Sequence, residues 1–248
     1  MVTRARSGDR VVRDFVVVTC EHGGNRIPAA YRDLFHEHEI VLNSHRGYDA
    51  GALTMAQELA RAFDAPLVSS TVSRLLVDLN RSVGHPRLHV QAVRDQSKEM
   101  RHAIVERYYR PYRTKVEHYV HRSVARGRRV VHISSHSFTP MLDGHVRTAD
   151  IGLLYDPGRS GEAALAERWQ SALESLAPEL NVRRNYPYAG KGDGLTRHLR
   201  ERYSPRAYIG IELEINQKHV EGPVRRWVEL RRASIEALRI AMASRVRI

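Results

Sequence analysis

What most limits the fold is where the polar residues fall relative to the apolar runs. Residues 15–19 (FVVVT) are a short β-branched run, the pattern of a buried strand, and the run ends in Cys20-Glu21-His22-Gly23-Gly24. The run at 129–134 (RVVHIS) ends in Ser135-His136-Ser137, and the run at 207–215 (AYIGIELEI) carries Glu212 and Glu214 near its end. Further extended segments are expected at 66–70, 75–79 and 151–155. Between them lie helical periodicities at 48–63, at 96–126 with an interruption at Pro111, and at 161–176, 195–203 and 224–246. Residues 86–96 and the Gly- and Tyr-rich 186–194 read as loops. Strands alternating with helices predict an α/β fold, a three-layer sandwich with a mostly parallel or mixed central sheet. In such folds ligands bind beyond the carboxyl ends of the strands. His22, His136 and Glu214 fall at those ends.

At 248 residues the chain is expected to form a single domain over 1–248. With 42% hydrophobic and 27% charged residues it has the composition of a globular protein, and no apolar run approaches the roughly 18 residues of a membrane span, so no membrane partner is expected. The first fifteen residues are basic without an apolar stretch, so no secretory signal is expected. The single cysteine, Cys20, excludes an intramolecular disulfide, which fits a cytoplasmic location. Lys and Arg number 40 against 28 Asp and Glu, a net charge of +12. That excess raises a nucleic-acid-binding protein as an alternative class. It is spread along the chain, though, with no basic tail and no aromatic-basic alternation, so a nucleic-acid partner is not expected. A small anionic substrate would be drawn to the same field.

The residues at the strand ends suggest a zinc site open to substrate, with protein ligands from His, Asp and Glu and an acidified water in the remaining position. His22 follows the first strand, and the two glycines after it suit a sharp turn. His136 follows another strand. Asp49, near the start of the helical pattern at 48–63, fits a carboxylate ligand between them and equally fits an N-cap for that helix. Glu212 and Glu214 point to one side of their strand by period two, and Glu214 is placed to move a proton, or to sit in an ion pair with an arginine. Arg74 and Arg81 bracket Leu75-Leu76-Val77-Asp78-Leu79-Asn80. Arginine grips carboxylates in two-pronged fashion, so this segment reads as a pocket for a dicarboxylate or as a structural Arg–Asp network. Asn80 suits orienting a carbonyl or a ligand. The loop Gly190-Lys191-Gly192-Asp193-Gly194 leads into a helix whose first amides suit an anion, with Arg197 available for a second carboxylate. Cys20 reads as packing, because adjacent strand residues point apart and cannot pair Cys20 with His22. The serines beside His136 lack the Gly-x-Ser-x-Gly elbow of serine hydrolases.

Six motifs, CEHGGNRIP, HRGYDAGA, VSRLLVDLNR, ISSHSF, GKGDGLTRH and IELEINQ, stand in the order and approximate spacing of the N-formylglutamate amidohydrolases, and over roughly 16–217 the chain resembles that family. The family is similar to zinc-dependent exopeptidases of phosphorylase/hydrolase-like fold and to zinc amidases of cell-wall peptides. The resemblance implies Zn²⁺, or another divalent metal, held by His22, Asp49 and His136. It is the amidase likeness that points to Asp49, since the amidase carboxylate also opens a helix after the His-Gly-Gly turn. It implies Glu214 as general base and acid, and Arg74, Asn80, Arg81 and Arg197 as lining for an acyl-amino-acid substrate. The implied reaction is hydrolysis of N-formyl-L-glutamate to formate and L-glutamate, the last step of one histidine-degradation route. Another acyl-amino acid, a peptide or a cell-wall amide is the alternative substrate.

Overall fold

The computed structural model of the chain describes residues 14–243. The basic N-terminal stretch, up to Arg13, and the end of the helix expected at 224–246 lie outside the described residues. Strand β1 spans Phe15–Cys20, β2 Leu67–Ser69, β3 Val130–Phe138, β4 Ile151–Leu154, β5 Val182–Arg184 and β6 Tyr208–Asn216. They form one sheet in the order β2-β1-β3-β6-β4-β5. The first four are mutually parallel, β4 runs antiparallel to β6, and β5 is parallel to β4. The main helices are α1 (Ala52–Ala62), α2 (Lys98–Ile104), α3 (Arg110–Ala125), α4 (Ser160–Leu176), α5 (Leu195–Arg202) and α6 (Val224–Ala243). No helix among the described residues is long and apolar enough to cross a membrane.

Period two assigns the two faces of the sheet. Val16, Val18, Cys20, Val131, Ile133, Ile209, Ile211, Leu213 and Ile215 pack in one core with α1, α4 and α6, including the buried Met55, Trp169 and Leu238. Val17, Val130 and Tyr208 face the other way, into a second core built with α2, α3 and α5 through Ile104, Tyr112, Val116 and Leu199. Helices therefore cover both faces, and the sheet is the middle of three layers. Fully burying each such aliphatic side chain is worth about 1.5–3 kcal/mol, so the two cores hold the strand ends in place.

Several local expectations change. Residues 75–79 form no strand. Leu76 N–H donates to the Ser73 carbonyl, and the chain turns so that Arg74 and Asp78 meet at 2.9 Å. An extended backbone would hold residues four apart about 13 Å away from each other. The interruption at Pro111 appears one turn earlier, as a π-helical turn over Val105–Tyr109 between α2 and α3. Helix α1 starts later than the periodicity suggests, behind Gly51, which adopts φ +77° and whose Cβ would lie 2.5 Å from Val220. Strand β5 is not anticipated by the sequence reading; it is only three residues long.

Candidate active site

The face of the sheet turned toward α2, α3 and α5 changes character partway along its strands. In β1 it runs Val17, Thr19 and then Glu21 just past the strand end. In β3 it runs Val130, His132, Ser134, His136, and in β6 Tyr208, Gly210, Glu212, Glu214. The apolar positions lie at the amino ends and the polar ones at the carboxyl ends. Register then does the assembling: His136 and Glu214 are direct partners in the β3–β6 ladder, and Gly152 of β4 is the partner of Glu214 on the other side. Gly152 has to be glycine, because a Cβ there would lie 1.9 Å from the Tyr186 carbonyl oxygen.

At these ends the three expected ligand residues converge. His22, Asp49 and His136 are all buried, and one ligand atom from each lies within 4.8 Å of the others. Both imidazoles turn Nδ1 to the same atom, Asp49 Oδ2, at 3.3 Å from His22 and 2.8 Å from His136. Asp49 does not cap α1: Gly51 is the N-cap residue and no side chain caps the helix. Its second oxygen accepts from Arg74 Nη1 at 3.3 Å. The glycines after His22 serve close approach rather than a left-handed turn. A Cβ on Gly23 would lie 2.9 Å from the Ser70 carbonyl oxygen, and one on Gly24 2.9 Å from that of Thr71.

Each imidazole also faces a buried carboxylate with its other nitrogen. His22 Nε2 is 2.7 Å from Asp78 Oδ1, and His136 Nε2 is 3.1 Å from Glu21 Oε2. Arg74 ties Asp78 to Asp49, so the cluster closes into a ring. Burial and Arg74 push the His22 pKa down, but Asp78 and Asp49 outweigh them and raise it above the ordinary imidazole value. His136 is raised further, its bonds to Asp49 and Glu21 overcoming burial. Burial works against ionised Asp49, Asp78 and Glu21, yet the facing cations and imidazoles hold all three well below the ordinary carboxylate range.

Glu214 behaves oppositely. Burial, with Asp49 and Glu212 nearby, pushes its pKa up to about 7. Among the described residues its Oε2 is a buried oxygen without a hydrogen-bond partner. It opens on a cavity of about 420 Å³ that is also lined by His22, Asp49 and His136. Glu212 lines the same cavity, but its carboxylate accepts from Thr196 Oγ1 at 2.5 Å. A carboxyl poised between its charged and neutral forms, beside a compact set of nitrogen and oxygen donors, is an arrangement suited to proton transfer.

The four expected substrate residues divide. Arg81 and Asn80 line the cavity. Arg74 lines it too, but its guanidinium is committed to Asp49 and Asp78. Arg197 is not among the lining residues: its side chain is half exposed and pairs with Glu201 at 3.0 Å, one turn further along α5. The first amide of α5 is not open to an anion either, because Leu195 N–H donates to Asn80 Oδ1 at 2.7 Å. The glycine-rich loop instead locks onto the segment after Asn80, with Asp193 accepting from Ser82 N–H and Ser82 Oγ and its carbonyl accepting from Arg81 Nη1. Among the cavity residues that the sequence reading did not single out are His45 and Arg87. Among the described residues no ion pair engages Arg87. No local pattern marks it, since it joins the site only through the path of its loop. Cys20 packs in the aliphatic core as expected, on the face away from the cluster.

Known proteins agree with this architecture. The chain is similar to a gene product of Agrobacterium tumefaciens of known structure, at 30% identity and TM-score 0.80, covering 94% of this chain and 92% of that one. It is also similar in fold to the N-formylglutamate amidohydrolase of Ralstonia eutropha JMP134, at 18% identity and TM-score 0.69, over 93% of this chain and 94% of that one. No curated protein matches it in sequence. The sequence model of the N-formylglutamate amidohydrolases matches residues 15–220. That span contains every residue of the cluster, and the chain belongs to the N-formylglutamate amidohydrolase family.

Proposed function

We propose that this chain hydrolyses the amide bond of an N-acyl amino acid with a divalent metal, Zn²⁺ first among them, and that N-formyl-L-glutamate is the substrate. The observation that carries the reading is the Glu214 carboxyl, buried and without a partner for Oε2, on the cavity shared with His22, Asp49 and His136. The donor set fits such an ion: two imidazole nitrogens and a carboxylate oxygen, converging and buried, as in hydrolytic zinc sites. When bound there, the ion would supply Lewis acidity, polarising the amide carbonyl and lowering the pKa of water.

The chain's own residues would do the rest. Ionised Glu214 takes a proton from the attacking water as its oxygen bonds to the acyl carbon. It returns that proton to the amide nitrogen as the C–N bond breaks, releasing formate and L-glutamate. Its raised pKa suits both halves of this exchange. Arg81 and Arg87, which line the cavity, hold the glutamate carboxylates. Arg74 serves by holding Asp49 and Asp78 rather than by meeting substrate.

Metal analysis of the purified protein together with a panel of N-acyl amino acids and small peptides, run with and without chelator, tests the proposal. Expected are a stoichiometric divalent metal, chelator-sensitive hydrolysis and preference for acidic acyl-amino acids. Metal-free protein that hydrolyses the panel as fast, or His136→Ala with the parent's rate, would sink it. A preference for peptides or cell-wall fragments would keep the chemistry and replace the substrate.

A further inference from the structure

Glu21 is one of the most deeply buried charges in the molecule, and the reaction proposed above does not use it. Its side chain is 0% exposed, on the sheet face that carries His136. Three groups from two elements, β3 and α3, converge on it. Ser134 Oγ of β3 donates to Oε2 at 2.7 Å, and Tyr112 Oη of α3 donates to Oε1 at 2.9 Å. His136 Nε2 lies 3.1 Å from Oε2. Ser134 Oγ is also 2.9 Å from that nitrogen, so it donates to Glu21 while accepting from the ring. An ionised carboxylate held only for packing would carry its desolvation penalty for no return. Here it engages one nitrogen of an imidazole and leaves the other, Nδ1, facing Asp49.

We infer that Glu21 is a positioning residue for the metal centre: with Tyr112 and Ser134 it clamps His136 Nε2–H and so sets the His136 ring to present Nδ1 to the ion. The inference rests on the metal reading above and extends it from the ligands to the helical layer. Asp78 holds His22 Nε2 in the same way at 2.7 Å, which makes the arrangement symmetrical about Asp49. The difference is the source of support. Asp78 is steadied by Arg74 beside the cavity, and Glu21 by a tyrosine of α3, the helix packed over that face of the sheet. Outer partners of this kind commonly contribute about 10- to 100-fold in metal affinity.

The test is metal affinity by chelator competition, with Zn²⁺ and with Co²⁺, alongside the visible spectrum of the Co²⁺-loaded protein. The variants are Glu21→Gln, Tyr112→Phe, Ser134→Ala and, as control, Thr19→Val, which removes a buried bond from β1 to His132 of β3, outside the clamp. Glu21→Gln is expected to weaken both metals by about 10- to 100-fold and to shift the Co²⁺ spectrum. Tyr112→Phe and Ser134→Ala should do so by less, and Thr19→Val should lose thermal stability with metal affinity unchanged. If Glu21→Gln fails to fold, the Tyr112 and Ser134 variants decide by the same readouts. Parent affinity and an unshifted spectrum in all folded clamp variants would overturn the inference while leaving the metal centre standing. A parent that binds neither ion would overturn both.

Discussion

The two faces of β3 and β6 are built from alternate residues of the same strands, and they do opposite work. On the face toward α1, α4 and α6, β6 is aliphatic throughout, at Ile209, Ile211, Leu213 and Ile215, while β3 runs Val131 and Ile133 and then Ser135 and Ser137, whose hydroxyls donate to the Ala52 and Ala50 carbonyls. On the face toward α2, α3 and α5 the strands begin with Val130 and Tyr208 and end with His136 and Glu214. The first face stabilises the sheet without chemistry. The second places titratable groups in a dry environment that only the first face's stability can sustain. A polar seam joins its two halves: His132 lies between Tyr208 Oη at 2.7 Å and Thr19 Oγ1 at 2.8 Å, so the transition from apolar to polar is hydrogen-bonded at its midpoint.

The sharpest way to break this contrast uses neighbouring residues. Glu214→Gln should reduce kcat by roughly 10²- to 10⁴-fold in steady-state assays while the thermal midpoint does not fall, since an unpartnered buried carboxyl is exchanged for a neutral isostere. Leu213→Ala, one residue away on the other face, should cost about 2–5 kcal/mol in denaturant unfolding and leave kcat of the folded fraction near the parent's. Should Glu214→Gln unfold the protein, or Leu213→Ala abolish turnover without loss of stability, the division of labour fails.

A smaller effect tests the midpoint of the seam. Burial holds His132 down at about 4, so between about pH 6.5 and pH 4 the unfolded chain takes up a proton that the folded chain refuses. This site should therefore lower stability by about 1.4 kcal/mol per unit as pH falls through that window, and contribute nothing above it. Denaturant midpoints measured against pH should flatten in His132→Gln. The smallest effect belongs to the cavity lining. Arg87→Ala should raise KM for an N-acyl-glutamate by roughly tenfold, about 1.4 kcal/mol, with no change for an N-acyl amino acid bearing a neutral side chain. Equal losses on both substrates would mean that Arg87 does not read the carboxylate.

Much of the sheet is legible in the sequence because its signal is local and periodic. The β-branched runs mark β1, β3 and β6, and period two places Glu212 and Glu214 on one side of β6. Residues 75–79 mislead, because a run of Leu and Val looks extended while the pair Arg74 and Asp78, four apart, closes a turn. Arg197 misleads for a related reason: its motif contains the right residue types, but the facing of α5 sends it to Glu201 and solvent. The arginine excess is similarly opaque. Arg200, buried, donates to both oxygens of Glu162 at 3.0 Å, so part of the positive charge is internal scaffolding rather than a surface field.

By itself the sequence determines an α/β chain with histidines and a glutamate at the carboxyl ends of its strands, since strand and helix periods and the position of a residue in a run are properties of neighbours. What the tertiary structure alone decides is which atoms meet. The pairing of His136 with Glu214 depends on strand register, the shared turn of both Nδ1 atoms to Asp49 on a loop brought across the sheet, and the support of His136 on Tyr112, which is 91 residues from Glu21 in the chain. Such contacts are selected by how the two cores pack. No local pattern encodes them, because the groups become neighbours only once the layers have closed.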